Sequence, residues 1–278
     1  MKVAVTGASG FIGAALCRRL SAEGHQVLAA ARSTGSLRLT DEAAVVHLAG
    51  LAHRKGAASG ELQRVNVDLA REVGNAAAAS GAHMIFMSSI KVHGEECDEP
   101  LAETSPFNPQ DEYAASKMRA EEALRAIGAL RLTVIRPPLV YGPGVKANFL
   151  SLLSALARGW PLPFASISNR RSFLYVENLA DLILRCLRDS RAPGRAYLPC
   201  DGEPLSTPQL CRELAQALQK PARLFPFPPR ALELLPGARR LTRSLYADAA
   251  SLRHALAWRA PTARADGLHA TARWFAAR

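Results

Sequence analysis

Tyr113 and Lys117 lie four residues apart in a segment with a helical pattern, so their side chains share one face of that helix. A lysine ammonium near a phenol favours the phenolate. This predicts a lowered pKa for Tyr113 and a role for it as an acid or base. Ser89 ends a preceding apolar run, and its hydroxyl can donate a hydrogen bond to a carbonyl or hydroxyl oxygen. These three side chains suit proton transfer to or from an oxygen atom.

A glycine-rich turn lies near the start of the sequence. Gly7, Gly10 and Gly13 follow the apolar run Val3–Val5 and lead into a helical pattern. Glycine lets the backbone turn tightly and approach a diphosphate, while the first amide groups of the helix attract the anion. The spacing G-x-x-G-x-x-G differs from the commoner G-x-G-x-x-G. We interpret the turn as a dinucleotide-diphosphate site.

Apolar runs that end at turn residues recur through the first half of the chain, with helical patterns between several of them. The runs are Lys2–Gly7, Gln26–Arg32, Ala44–Gly50, His83–Ser89 and Leu130–Pro137, and the helical patterns cover residues 11–23, about 60–80, and 112–128. This alternation predicts an α/β fold, a Rossmann-like doubly wound parallel sheet that is buried on both faces. Ligands bind at the ends of neighbouring strands in such sheets, which is where Ser89 lies.

The pattern changes after the first half. Residues 1–140 are predicted to form the dinucleotide-binding domain, and residues 141–278 a smaller α+β substrate lobe with some segments that return to the sheet. Few residues separate Arg32 from Ala44, so the third strand of the usual sheet is predicted to be missing or reduced to Leu37–Leu39. Ser206 is predicted to cap a helix over Gln209–Gln219.

Composition narrows the classes of function. The 278 residues carry a net charge of +11, of which −1 falls in residues 1–135 and +12 in residues 136–278, so the second half is expected to handle an anion. Nucleic-acid binding lacks any supporting motif. The five scattered cysteines have no metal-ligand spacing and suit reduced thiols. Neither a membrane span nor a signal peptide is evident, and a cytoplasmic protein without a metal is expected.

The motifs taken together resemble the extended short-chain dehydrogenase/reductases, the nucleotide-sugar epimerase/dehydratase group. The resembling segments run in family order over nearly the whole chain and are Thr6–Gly13, Val46–Gly50, Asn66–Val67, Ser88–Gly94, Tyr113–Lys117, Arg136–Gly142 and Arg171–Asp181. As a set they are highly specific to that group.

The resemblance implies NAD(P) as cofactor and a nucleotide sugar as substrate. The residues implied in cofactor binding are Gly7, Gly10, Phe11, Ile12, Gly13, Arg32, Leu48, Ala49, Gly50, Ser88, Tyr113, Lys117, Pro137 and Pro138. Those implied in substrate binding are Ser89, Lys91, Asn148, Arg171 and Arg243. Tyr113 is implied as the catalytic acid or base, Lys117 as a catalytic residue that also holds the nicotinamide ribose, and Ser89 as the residue that orients the reacting oxygen.

Departures from the family pattern limit which reaction and which cofactor are expected. The sugar dehydratases of the group carry an acidic pair where this chain has Ile90 and Lys91, so dehydration is not expected. Lys91 is interpreted either as a cation near the reacting carbonyl or as a solvated lysine. Arg32 ends the second strand in place of an acidic residue and suits a 2′-phosphate, which favours NADP while NAD stays possible.

Within the group, the chain looks closest to bacterial UDP-sugar 4-ketoreductases of polysaccharide synthesis. The expected reaction is reduction of the C4 keto group of a UDP-2-acetamido-2,6-dideoxy-4-hexulose, the UDP-N-acetylquinovosamine type. Two alternatives stay open: a UDP-hexose 4-epimerase, and a catalytically silent NADP(H)-binding sensor or scaffold. A homodimer through the helices around 60–80 and 112–128 is implied by the resemblance.

Overall fold

The computed structural model describes residues 1–30, 43–51 and 59–278. Its strands are β1 (Lys2–Thr6), β2 (Gln26–Ala30), β3 (Ala43–His47), β4 (His83–Met87), β5 (Arg131–Ile135), β6 (Leu139–Tyr141), β7 (Phe173–Tyr175) and β8 (Ala196–Tyr197). Six of these form one sheet in the order β2-β1-β3-β4-β5-β8, with every neighbouring pair parallel. The predicted fold class, a parallel Rossmann-like sheet, is confirmed.

Helices flank this sheet and fill the second half of the chain. They are α1 (Phe11–Ala22), α2 (Ser59–Leu62), α3 (Leu69–Ser80), α4 (Glu112–Arg125), α5 (Ala147–Ala157), α6 (Val176–Arg188), α7 (Thr207–Ala217), α8 (Pro229–Leu232), α9 (Arg239–Thr242), α10 (Ala250–Leu256) and α11 (Arg264–Ala276). Within the described ranges, none of them is both long and apolar enough to cross a bilayer.

Alternate residues of the central strands enter two separate cores, because successive side chains of a strand point to opposite faces. Val3 and Val5 pack with Leu16 of α1 and with residues of α6 on one face. Val45 and Met84 pack with residues of α3 and α4 on the other. Burial on both faces explains why each strand reads as a continuous apolar run in the sequence.

The third-strand prediction concerns Leu37–Leu39, which lie outside the described residues. Among the described strands, β2 lies at the edge of the sheet and pairs with β1 alone. At the opposite edge, β8 pairs with β5, so a segment from the second half of the chain extends the first-half sheet. The proposed division of the chain at residue 140 remains a prediction.

The second half builds its own core beside the sheet. Strands β6 and β7 pair in parallel, and Tyr141 of β6 packs with Phe149 of α5 and with apolar residues of α7 and α11. The predicted cap of α7 is confirmed: Ser206 accepts a hydrogen bond from the Gln209 amide, and the Gln209 side chain accepts one from the Ser206 amide. This reciprocal pair satisfies two amide groups that the helix itself leaves unpaired.

Two buried histidines are expected to make stability depend on pH. Burial lowers the pKa of His47 to about 3, and burial followed by the charge of Arg131 lowers that of His83 to about 4. An unfolded histidine titrates near 6.5, so the unfolded chain takes up protons first as the pH falls. The free energy of unfolding should therefore decrease below pH 6.5.

Replacing His83 with glutamine tests this dependence. A glutamine can keep the 2.8 Å hydrogen bond from position 83 to the Thr133 hydroxyl without binding a proton. Between pH 7 and about pH 5, the free energy of unfolding should decrease by about 2 kcal/mol less in the variant than in the wild type. Urea unfolding at both pH values measures the difference, and an unchanged pH dependence in the variant would contradict a neutral, buried His83.

Candidate active site

The glycine turn joins β1 to α1 as the sequence predicts. Gly7 has φ +72°, a left-handed conformation that favours glycine, and a Cβ at that position would lie 2.8 Å from the Ala49 amide nitrogen. A Cβ on Gly13 would overlap the Gly7 carbonyl oxygen. Gly10 precedes the first residue of α1 and has no side chain to cap it. The first amide groups of α1 are thus left for an external acceptor.

The loop after β3 lies against this turn. Its Leu48 amide donates to the Thr6 carbonyl oxygen at 3.2 Å, and its Ala49 amide donates to the Thr6 hydroxyl at 3.2 Å. The Thr6 hydroxyl is also 2.9 Å from Nδ1 of His47, so the histidine has a side-chain partner. Leu48, Ala49 and Gly50 therefore lie beside the glycine turn, where the sequence places the cofactor.

Ser89 and Tyr113 are brought together at the end of β4. Ser89 begins a short 3₁₀ turn, Ile90–His93, and its hydroxyl accepts from the Lys91 amide at 3.2 Å. Asp111 caps the N-terminus of α4 by accepting from the Ala114 amide at 2.7 Å, which puts Tyr113 in the first turn of the helix. From there Tyr113 forms a side-chain hydrogen bond with Ser89.

The pKa of Tyr113 departs from the expectation. Burial, and then the charge of Asp111, raise it to about 12, and the hydrogen bond from Ser89 offsets only part of that shift. The expected lowering by Lys117 is wrong because the lysine ammonium makes its hydrogen bond elsewhere. The residues present therefore hold Tyr113 as a neutral phenol, which is the form that donates a proton.

Lys117 lies between the ends of β3 and β4. Its buried ammonium donates to the Met87 carbonyl oxygen at 2.8 Å and lies 4.8 Å from the centre of the Phe86 ring. A Cβ on Gly50 would be 3.2 Å from its nitrogen, so the lysine faces the loop after β3. Burial lowers its pKa to about 8, although the charge of Glu121 acts in the opposite direction.

Glu121 organises a buried ionic network behind the site that the sequence analysis missed. Arg136 donates to both of its carboxylate oxygens, at 3.0 and 2.7 Å, and the Arg125 guanidinium donates to one at 2.7 Å. Ser88 donates to it at 2.5 Å, so the Ser88 hydroxyl, expected at the cofactor, is engaged by Glu121. The sequence signal for Glu121 is its position one helical turn after Lys117.

Asn66 links the loop after β3 to α4. It lies in a π-helical turn, Gln63–Asp68, that interrupts the helix predicted over 60–80. Its side-chain oxygen accepts from the Leu51 amide at 2.8 Å, and its nitrogen donates to the Ser116 hydroxyl at 2.9 Å. The side chain is completely buried, so Asn66 fixes the backbone near the site.

Lys91 is neither solvated nor free to bind an oxyanion. Its ammonium forms ion pairs with Asp111 and, at 2.5 Å, with Glu95, and it lies 5.8 Å from the centre of the Tyr113 ring. Glu95 also accepts from Arg240 of α9 at 3.2 Å. Neither interpretation of Lys91 from the sequence fits this cluster, since the two carboxylates already neutralise the lysine.

Of the other predicted substrate residues, the structure brings together Arg171 and Arg243. Arg171 is partly buried and donates to the Arg243 carbonyl oxygen at 3.0 Å. The Arg243 guanidinium turns away to Glu233, which accepts from it at 2.7 Å, so it does not converge with that of Arg171. Asn148 is exposed in the first turn of α5.

Pro137 and Pro138 are buried where β5 leads into β6. The Pro137 carbonyl oxygen accepts from the Ile90 amide at 3.0 Å, which fixes the chain just beyond Ser89. Arg32 lies outside the described residues. Nowhere in the described ranges do three or more His, Cys, Asp or Glu side chains form a group that could hold a metal ion.

Known proteins share both the sequence pattern and the fold. The model of the NAD dependent epimerase/dehydratase family matches residues 3–198. A Vibrio cholerae protein named UDP-glucose 4-epimerase is 33% identical, over 98% of this chain and 95% of that protein. The solved structure of MoeE5 in complex with UDP-glucuronic acid and NAD has a TM-score of 0.82 at 23% identity, over 100% of this chain and 99% of its own. RMD from Pseudomonas aeruginosa complexed with NADPH has a TM-score of 0.79 at 25% identity, over 100% and 99%.

Proposed function

The chain belongs to the NAD-dependent epimerase/dehydratase family of extended short-chain dehydrogenase/reductases, and from this premise we propose that it reduces the C4 keto group of a UDP-linked 2-acetamido-2,6-dideoxy-4-hexulose. The observation that carries the proposal is the hydrogen-bonded pair of Ser89 and a neutral Tyr113, one helical turn from Lys117. Reduction of a ketone needs a proton donor at the carbonyl oxygen, and a neutral phenol is that donor.

The residues at the end of β1 fit a nicotinamide dinucleotide. At Gly7 and Gly13 a side chain would collide with neighbouring backbone, and the start of α1 offers free amide groups to a diphosphate. Leu48, Ala49 and Gly50 would line the nicotinamide side. When bound, the cofactor supplies the hydride. NADP remains our proposal because of Arg32, with NAD possible.

The chain's own residues then divide the remaining work. Tyr113 donates its proton to the developing alkoxide oxygen, and Ser89 holds that oxygen by a second hydrogen bond. Lys117, fixed by the Met87 carbonyl oxygen, places a positive charge near the loop after β3, where a ribose hydroxyl would accept from it. Burial of Ser89 and Lys117 keeps water from competing for their hydrogen bonds.

The basic second half supports an anionic substrate. Burial lowers the pKa of Arg171 to about 10, so the side chain stays charged at neutral pH. A partly buried arginine offers planar, paired donors that match a diphosphate. We propose Arg171 as the ligand of the UDP diphosphate. Asn148, Lys91 and Arg243 are weaker candidates, since Lys91 and Arg243 already bind carboxylates.

A UDP-hexose 4-epimerase is the second candidate, favoured by the Vibrio cholerae relative. An epimerase begins by removing a proton from the C4 hydroxyl, which requires Tyr113 as the phenolate. A reductase begins with Tyr113 as the neutral phenol, the form that burial favours. A silent sensor or scaffold has no need of the combination of Ser89, Tyr113 and Lys117. A cytoplasmic homodimer formed through α3 and α4 completes the proposal.

One experiment separates the two enzymatic candidates. The purified protein is mixed with the UDP-4-keto sugar and either NADPH or NADH, and loss of the reduced cofactor's absorbance is followed. We expect stoichiometric oxidation of the cofactor, faster with NADPH, and one reduced sugar by NMR. In parallel, UDP-N-acetylglucosamine and UDP-glucose are incubated without added reductant. Conversion of either to its C4 epimer, with no oxidation of cofactor by the keto sugar, would overturn the reductase in favour of the epimerase.

A further inference from the structure

An exposed apolar face lies on the second half of the chain. It consists of Trp160, Phe225, Phe227, Leu234 and Leu235. Their exposed fractions are 54%, 41%, 38%, 85% and 61%. Single exposed apolar residues are common on protein surfaces, whereas two adjacent leucines this open, a few residues along the chain from two exposed phenylalanines, indicate a binding surface.

The local backbone brings the segments of Trp160 and Phe225 together. Leu162 and Leu224 form a parallel bridge, in which the Leu162 amide donates to the Arg223 carbonyl oxygen and the Phe225 amide donates to the Leu162 carbonyl oxygen. Trp160 precedes Leu162 by two residues, and Phe225 directly follows Leu224. The chain then runs through Phe227 and the short helix α8 to the leucine pair.

Basic residues flank the members of this apolar face in the sequence. Residues 220–240 contain five Lys or Arg and one acidic residue. Arg158, Arg223 and Arg230 are exposed, and within the described ranges they have no carboxylate partner. Arg158 lies 5.3 Å from the Trp160 ring, so this cation and this aromatic ring are presented together.

We propose that this exposed apolar face docks reversibly on an anionic lipid bilayer. Tryptophan and phenylalanine beside leucine enter the boundary between headgroups and acyl chains, while arginine binds the lipid phosphates. The positive charge complements an anionic leaflet and is repelled by a second copy of the same face. This docking goes beyond the proposed reductase activity and does not depend on it.

The face is connected to the candidate site through α9. Five residues after Leu235, Arg240 donates to Glu95, which also binds Lys91 beside Tyr113. Only a short stretch of chain therefore separates the leucine pair, where the bilayer would bind, from the candidate site.

Vesicle flotation tests the docking. The purified protein is mixed with vesicles of phosphatidylcholine alone, or of phosphatidylcholine with phosphatidylglycerol. We expect flotation with the second kind, weakened by high salt. The double variant L234S/L235S should lower the partition coefficient about tenfold, because it removes two leucines from the membrane boundary. Leu28→Ser, at an exposed leucine of β2, is the matched control and should float like the wild type.

The contribution of the arginine charges to binding and the insertion of Trp160 into the bilayer are measured separately. The double variant R223Q/R230Q should weaken binding to anionic vesicles, while R131Q/R195Q, at exposed arginines elsewhere, should not. Tryptophan fluorescence should shift to the blue on binding, and Trp160→Phe should abolish the shift. Failure of the wild type to float on anionic vesicles, or equal flotation of L234S/L235S, would overturn the proposal. A dimer that L234S/L235S dissociates, without lipid binding, would also overturn it in favour of a second copy.

Discussion

Tyr113→Phe is expected to lower kcat for the 4-keto sugar by about a thousandfold, because it removes the proton donor and leaves the ring in place. The affinity for cofactor should change little, since the glycine turn and Lys117 are untouched. The Ser89 hydroxyl loses its hydrogen-bond partner and keeps its contact with the Lys91 amide. Steady-state rates and cofactor titration, measured on the same preparation, give the two quantities.

Tyr197→Phe is the matched control for this substitution. Tyr197 is buried in β8, and its hydroxyl has no hydrogen-bond partner among the described residues. Removing that hydroxyl should leave kcat within about twofold of the wild type. If Tyr113→Phe also kept most of the activity, the proton would have to come from another group, and the assignment of Tyr113 would be wrong.

The pH profile adds a second readout at the same residue. A pKa of about 12 keeps Tyr113 protonated throughout the usable range. Because the acid form of Tyr113 is the active one, ionisation of Tyr113 should not slow keto-sugar reduction below about pH 9. A decrease that begins near pH 8 would instead report the loss of charge from Lys117, whose pKa is about 8. An enzyme that first removes a proton would instead become faster as the pH rises towards that pKa.

Much of the first-half fold could be predicted because its strands are buried on both faces. Runs such as Ala44–Gly50 and His83–Ser89 are mostly apolar, and the helical patterns between them have a different period. The glycine turn and Ser89 could be predicted because each directly follows the end of a predicted strand. Tyr113 could be predicted because it lies four residues before Lys117 on one predicted helix.

The electrostatics of the site could not be predicted from spacing. Tyr113 and Lys117 share a helix face, yet the lysine donates to Met87, a residue that lies thirty positions earlier in the chain. Ser88, Glu121 and Arg136 likewise meet only because β4, α4 and β5 pack together. Contacts between distant segments decide which groups are charged, and sequence neighbours do not reveal them.

The Glu121–Arg136 pair allows a sharp test of that buried network. Arg136→Met should lower the free energy of unfolding by about 3 to 5 kcal/mol, because it leaves the Glu121 carboxylate buried without its main partner. Arg191→Met is the control: Arg191 pairs with Asp189 at the surface, and its loss should change the free energy of unfolding much less than Arg136→Met does. Urea unfolding measures both.

Acid should reduce the effect of Arg136→Met. Burial alone would raise the pKa of Glu121, but the hydrogen bonds and charge of Arg136 outweigh it and lower that pKa in the wild type. Without Arg136 the pKa should rise above its ordinary value, so the variant takes up a proton as the pH falls and loses its penalty. The stability gap should thus be widest at neutral pH and shrink as the pH falls through the raised pKa of the variant towards the ordinary value of about 4.3.

The double variant E121L/R136M decides whether charge or packing is responsible. Replacing both members of a buried ion pair with apolar side chains removes the unpaired charge, so the double variant should recover most of the stability that Arg136→Met loses. The coupling energy from the four proteins should then be several kcal/mol. If E121L/R136M were as unstable as Arg136→Met, lost packing would explain the defect. The same variants, assayed for kcat, would show whether the network positions Lys117 through α4, since Glu121 lies one turn from it on that helix.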